Sequence, residues 1–191
     1  MRVLQLHCDS IEYTPTKKEI KSAEEIDPKK TVLEEVVVCF IAVENDDDST
    51  VGKTAISEIQ ESMKKIGCKK LLLYPYAHLS SNLASPNTGL SILKEMESSA
   101  IGISVTRAPF GWTKAFSIKV KGHPLAESSK VFSKDSSKEK TSTALESESK
   151  IRSYWYIMTP DGKMVEIDKF NFSDHKQLEI LAKYESAKKR S

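Results

Sequence analysis

Apolar and polar positions follow two different periods along the chain. Residues 2–8 carry Val3, Leu4 and Leu6 and predict a strand, and residues 11–16 predict a second one, closed by Pro15. The chain is therefore expected to open on a hairpin. Residues 22–30 are polar and read as a loop with a helical turn. The run EVVVCFIAV at 35–43 is almost continuously apolar, as expected of a strand covered on both faces. From 51 to 66 the period changes: Ala55, Ile56, Ile59, Met63 and Ile66 recur at three and four residues, predicting a helix that Gly67 stops. A strand at 70–76, a helix at 86–96, a short strand at 101–106 and a strand at 112–121 follow. That order implies one α/β domain over residues 1–128. The Ser/Lys/Glu-rich stretch 129–150 reads as a flexible linker. In 151–191, two strand-like runs flank Thr159-Pro-Asp-Gly162, a hairpin signal, and a modest amphipathic helix opens at Asp174 with Leu178, Leu181 and Tyr184.

Composition narrows the class. The 191 residues are 39% apolar and 29% charged, with a net charge of only +2, too mild to announce a nucleic-acid binder. The distribution is uneven: 44–48 is acidic, while 107–121 and 187–190 are basic, and a local basic strip can hold a phosphate backbone. Three cysteines at wide spacing signal neither a disulfide framework nor a zinc site. Cys8 and Cys39 sit in strand-like runs and read as core thiols, which fits a reducing cytoplasm. The N-terminus lacks the apolar core of a signal peptide, and no run has the ~18 apolar residues of a membrane span. A soluble cytoplasmic protein with no membrane contact is expected. No GxGxxG, P-loop, GxSxG, CxxC or HExxH occurs, so neither a nucleotide-driven enzyme nor a cofactor or metal is indicated.

Two stretches carry candidate chemistry. YPYAHLSSN, 74–82, places His78 just past the end of a buried-looking strand, where α/β sheets usually bind ligands. RAPFGWTKAFSIKVKGHP, 107–124, sets Lys114 straight after a Phe-Gly-Trp turn. Taken alone, His78 reads first as a turn residue packed on Tyr76, and Lys114 as a solvated strand lysine. Taken together, the two strand ends can converge on one pocket, which His7 at another strand end would join. Glu127 is either an ion partner for Lys114 or a charge at a helix N-terminus.

YPYAHLSSNLASP and RAPFGWTKAFSIKVKGHPLAE resemble two blocks of the N-terminal editing domain of archaeal-type threonyl-tRNA synthetases. MRVLQLHCDSIEY resembles that domain's opening strands, VVVCFIAVE its third, and SYWYIMTPDGKMVEIDKFNF the connector to the synthetase core. The resemblance implies a mixed α/β sheet with packed helices, similar in fold to D-aminoacyl-tRNA deacylases. It also implies hydrolysis of serine wrongly esterified to threonine tRNA, with the 2′-hydroxyl of the terminal adenosine assisting the attacking water. The physical need is plain, since the one methyl separating the two amino acids gives only ~1–3 kcal/mol of discrimination in a pocket. Carried over residue by residue, Lys114 orders water and ribose or supports developing charge. His78 lies at the adenosine end and Glu127 holds the lysine. Val43, Ala77 and Phe110 line the amino-acid pocket, and Trp112 belongs to its wall. Thr113 stands where the family usually has an aromatic residue, so a tyrosine hydroxyl is lost there. The implied partners are threonine tRNA, the rest of the synthetase and a second copy of the chain.

Two other functions compete. A general D-aminoacyl-tRNA deacylase would use the same fold and a pocket read by main-chain groups. A non-catalytic tRNA-binding module would account for the basic strip, yet would not require a lysine–histidine–glutamate set.

Overall fold

The computed structural model describes residues 1–134 and 154–187. The chain divides into two compact units, Met1–Ala144 and Leu145–Ser191. In the first, eight elements follow in order: β1 (Arg2–Lys18), β2 (Thr31–Ala42), α1 (Ser49–Ile66), β3 (Lys70–Pro75), α2 (Pro86–Ser99), β4 (Ser104–Arg107), β5 (Trp112–Val120) and β6 (Glu127–Val131). They build one mixed sheet in the order β4-β3-β2-β1-β5, with β6 also pairing β1. The β2–β3–β4 half is parallel, and every partner of β1 is antiparallel.

The α/β architecture is as expected, but the opening hairpin is not. Residues 2–18 form one long strand, and the polar Asp9-Ser10 step that looks like a turn in sequence is an irregularity within it. The β1–β5 register shifts there, from Cys8 opposite Val120 to Ser10 opposite Lys119. On β2 the same level is occupied by Glu35, whose φ of 50° lies in the left-handed region that few non-glycine residues enter. The irregularity swaps faces. Before it, Leu4, Leu6 and Cys8 look onto the inner face; beyond it, Ile11 and Tyr13 do. Lys121 pins both kinked strands, donating to Asp9 at 2.6 Å and to Glu35 at 2.8 Å.

One face of the sheet packs on the helices: Val37, Cys39, Ile41, Leu71 and Leu73 meet Ala55, Ile59, Ile92 and Met96. Helix α1 starts where the Asp48 carboxylate accepts from the backbone of Thr50 and Val51, and it stops at Gly67, φ 72°. Helix α2 is capped by Ser85 with Pro86 in its first turn. The other face buries Val36, Val38, Phe40, Leu72 and Tyr74 by curling on itself. Phe40 of β2 and Phe116 of β5 bring their rings to 5.7 Å although β1 runs between those strands.

The expected boundary at 128 falls inside a strand. Val131 to Glu127 pair with Arg2 to Leu6, and Phe132 is 5% exposed in the helix-side core. The polar Ser and Lys residues here alternate on an edge strand, so a low apolar content did not mean a linker. The rest of the expected linker, from 135 on, lies outside the described residues.

In the second unit β7 (Tyr156–Met158) and β8 (Met164–Glu166) form the hairpin that the Thr-Pro-Asp-Gly turn predicts, with Gly162 at φ 80°. Helix α3 (Lys176–Ala187) follows; Ala182 is its buried position, whereas Leu181 and Tyr184 are exposed. No helix among the described residues is long and apolar enough to cross a membrane.

Candidate active site

A cleft of about 690 Å³ opens at the carboxyl ends of β2 and β3. Ala42 and Val43 enter it from the end of β2; Tyr74, Tyr76, Ala77 and His78 from the end of β3 and the short turn that follows. Pro86 and Gly89 of α2 close one side, and Phe110 to Lys114 the other. Glu19 and Ile20, just beyond β1, complete the rim.

Lys114 faces this cleft and not bulk solvent. Its Nζ donates to the carbonyls of Trp112 at 2.8 Å and Pro109 at 3.2 Å, and lies 4.8 Å from the centre of the Tyr74 ring. Burial pulls the ammonium down from its ordinary 10.5 to about 8. The lysine therefore loses its proton near pH 8 and is still an ammonium at neutral pH.

The Phe-Gly-Trp turn that holds Lys114 is fixed from one carboxylate. Glu24 accepts from the Phe110 backbone at 2.8 Å and from both terminal nitrogens of Arg107, while its own carbonyl accepts from the Trp112 indole at 2.8 Å. The Arg107 bonds, with the Phe110 amide, hold the Glu24 carboxyl below its usual range against the opposing effect of burial. Gly111 is required in the turn. Its φ is 78°, and a Cβ there would come within 2.8 Å of Ala23.

The His78 turn is anchored separately. Tyr76 donates its amide to Ile41 O at 2.8 Å, and the Ser80 hydroxyl donates to Glu44 at 2.5 Å. Burial would raise the Glu44 carboxyl, but bonds from Ser80, Arg2 and the amino terminus outweigh it and bring the group to about 2. His78 itself is exposed at the mouth, its ring edge-on to Tyr76 at 5.2 Å.

Of the residues expected at the site, Lys114, His78, Val43, Ala77, Phe110, Trp112 and Thr113 all line the cleft. Two do not. His7 lies outside it, 2.8 Å from His123, and is held below its ordinary value by burial, then by His123 and Lys121. Glu127 sits on β6 opposite Leu6 and forms no ion pair with Lys114 among the described residues; backbone carbonyls hold the lysine where the carboxylate was expected. Three of the four cations of the basic strip 107–121 are ion-paired. Arg107 is bound by Glu24 and Glu97, and Lys119 and Lys121 by Asp9. Sequence reasoning missed Tyr74, Gly89, Glu19 and Ile20. Glycine within a helical pattern signals Gly89; Lys-Lys-Glu-Ile-Lys at 17–21 gives no cue that its middle residues line a cleft. Thr113 turns its hydroxyl to Glu19, at 2.8 Å, and with Lys17 holds that carboxyl below its ordinary range.

The whole chain aligns with threonine–tRNA ligases: 67% identical to that of Nitrosopumilus maritimus, 50% to that of Cenarchaeum symbiosum and 43% to that of Thermococcus sibiricus. It spans about a third of their length, between 31% and 32%. Among solved structures, the c-Myc DNA unwinding element binding protein superposes with a TM-score of 0.49 at 8% identity, over 68% of this chain and 97% of that one, a likeness too slight to bear on function. The family model for the archaea-specific editing domain of threonyl-tRNA synthetase matches residues 1–132, the same span that the sheet and its core occupy, and the chain belongs to that family.

Proposed function

We propose that this domain hydrolyses L-serine from mischarged threonine tRNA. The observation that carries the reading is Lys114, an ammonium held inside a cleft at the end of a parallel strand pair, with His78 at the mouth. About 690 Å³ suits an aminoacylated adenosine.

In the reaction, a water oxygen attacks the ester carbonyl carbon, negative charge gathers on the carbonyl oxygen, and the C–O bond to the ribose then breaks as the ribose oxygen takes up the proton the water gives up, leaving free serine and a ribose hydroxyl. Lys114 has three N–H donors and gives two to protein carbonyls, so the third is left for the developing oxyanion or the water. Its partial burial strengthens that interaction, because little solvent competes. The ribose 2′-hydroxyl assists the water, which fits a cleft lined by no serine or cysteine. Cys8 is no nucleophile, since burial raises its thiol to about 11. His78 and Tyr76 offer ring surfaces to the adenine, and Val43, Ala77 and Phe110 enclose the amino acid. Serine enters without the methyl that threonine would have to fit against them. The rest of the synthetase, which the relatives' greater length represents, supplies most tRNA affinity.

The test is hydrolysis of L-seryl- and L-threonyl-tRNA specific for threonine, with D-aminoacyl-tRNA in parallel. Rapid loss of L-serine alone is expected, and Lys114→Met should lower its rate at least ~100-fold, as for removal of an oxyanion donor. Preferential cleavage of D-esters would assign a chiral deacylase instead, and full activity of Lys114→Met would remove the lysine from the mechanism.

A further inference from the structure

Lys114 has no carboxylate partner among the described residues; what holds it is neutral. Two carbonyls approach it from its own strand and the preceding turn. The remaining contact is the ring of Tyr74, across the curl of the sheet, with Nζ 4.8 Å from its centre. That ring is itself locked: it lies 4.9 Å from Phe40, 5.7 Å from Phe116 and 5.8 Å from Tyr13, and is 2% exposed. We propose that Tyr74 is the positioning residue for Lys114, its ring face seating the ammonium where a counter-ion would otherwise stand.

The chemistry distinguishes a ring from a carboxylate. A carboxylate at hydrogen-bond distance would take the lysine's remaining N–H and hold the ammonium far above neutral pH. An aromatic face attracts the cation through its quadrupole but accepts no N–H in the plane of the reaction. The ammonium is held in place, and one donor stays available to substrate. Burial drives the Tyr74 phenol well above its ordinary value, so the seat is a neutral ring. The other titratable groups that line the cleft with Lys114 are Glu19, Tyr76 and His78, and the Glu19 carboxylate is taken up by Thr113 and Lys17; Glu12, Tyr13, Lys17 and Lys18 lie on β1, which pairs with the lysine's strand. Spacing hides this pairing in sequence, because Tyr74 and Lys114 meet only through the sheet's curl.

The seat is argued from geometry alone; its catalytic meaning rests on the editing reading. The experiment follows the titration of Lys114 by NMR, using lysine labelled at Cε and the loss of one signal in Lys114→Met for assignment. Position 74 is replaced by phenylalanine, then by phenylalanines of increasing fluorination, which weaken the ring's quadrupole while keeping its shape. Thermal unfolding checks each variant. Tyr74→Phe should leave the Lys114 titration within a few tenths of a pH unit. Full fluorination should move it down by roughly half to one unit, as loss of a cation–π contact requires. The pH limb of seryl-tRNA hydrolysis should move with it. A titration indifferent to fluorination overturns the seat, as does a shift in Tyr74→Phe equal to that of the fluorinated rings, which would make the hydroxyl the operative group. Wild-type hydrolysis of seryl-tRNA reports on the editing reading separately: titration shifts without any hydrolysis would keep the seat and discard the editing.

Discussion

Lys114 is where one side chain sets stability against function. Its folded value of about 8 lies below the ordinary 10.5, so the folded state resists the charged form. The sign follows from linkage. Below pH 8 both states hold the proton, and folding carries the full cost of burying an ammonium. Between 8 and 10.5 the unfolded chain holds the proton more tightly, so this contribution to stability improves as pH rises, and above 10.5 the cost is gone. Lys114→Met, which keeps the apolar stem and removes the charge, should therefore melt higher than the wild type at pH 7. The difference should shrink as pH approaches 10.5. Thermal unfolding at three pH values checks this; a Lys114→Met protein less stable at pH 7 would show that the carbonyl bonds and the Tyr74 ring outweigh burial. A residue kept at a cost to the fold is what a working site leaves behind.

The Phe-Gly-Trp turn shows how an element makes a site of such a residue. The turn positions Lys114 only because Gly111 takes φ 78° and lets Ala23 approach. Gly111→Ala meets both obstacles, the backbone region and the contact at 2.8 Å, and should cost about 2–4 kcal/mol in urea denaturation. A loss below 1 kcal/mol would mean that the 20–24 segment gives way freely. Elements were the most legible part of the sequence. Periodicity located the two long helices and the buried β2 because each buries one continuous pattern, and the two quoted motifs brought six of the expected cleft residues to one place, with Val43 added from the end of β2. It failed where a pattern changes face inside one element. The Asp9–Glu35 irregularity reads as a turn because apolar parity flips there, and parity is all that alternation reports. Contacts made by curling, such as Lys114 on Tyr74, leave no spacing to read. The pattern left Glu127 open as an ion partner of Lys114 or a helix-terminal charge and the resemblance chose the tether, but β6 sets Glu127 opposite Leu6 and backbone carbonyls hold the lysine.

For the whole molecule, the question is where the folding unit ends. A boundary at 128 would cut β6 after its first rungs, leaving Arg2, Val3 and Leu4 without partners on that side. It would also remove Phe132, which is 5% exposed in the core beneath α1 and donates its amide to Met1 O at 2.9 Å. Lys134 adds an ion pair to Asp48, the residue that caps α1. Loss of one buried phenylalanine alone costs ~3–5 kcal/mol, against a total stability of ~5–15 kcal/mol for a domain. A chain ending at 134 should therefore unfold cooperatively, close to the midpoint of the same transition in the full chain. A chain ending at 128 should melt roughly 10–20 °C lower or collect in the insoluble fraction. Circular dichroism on the two truncations decides between the boundaries. Equal midpoints would make β6 an accessory edge, with the sheet complete at β5. A large gap would place the end of the fold at the end of the family match, so that strand β6, polar as it is, belongs to the same folded body as the cleft and not to whatever follows it.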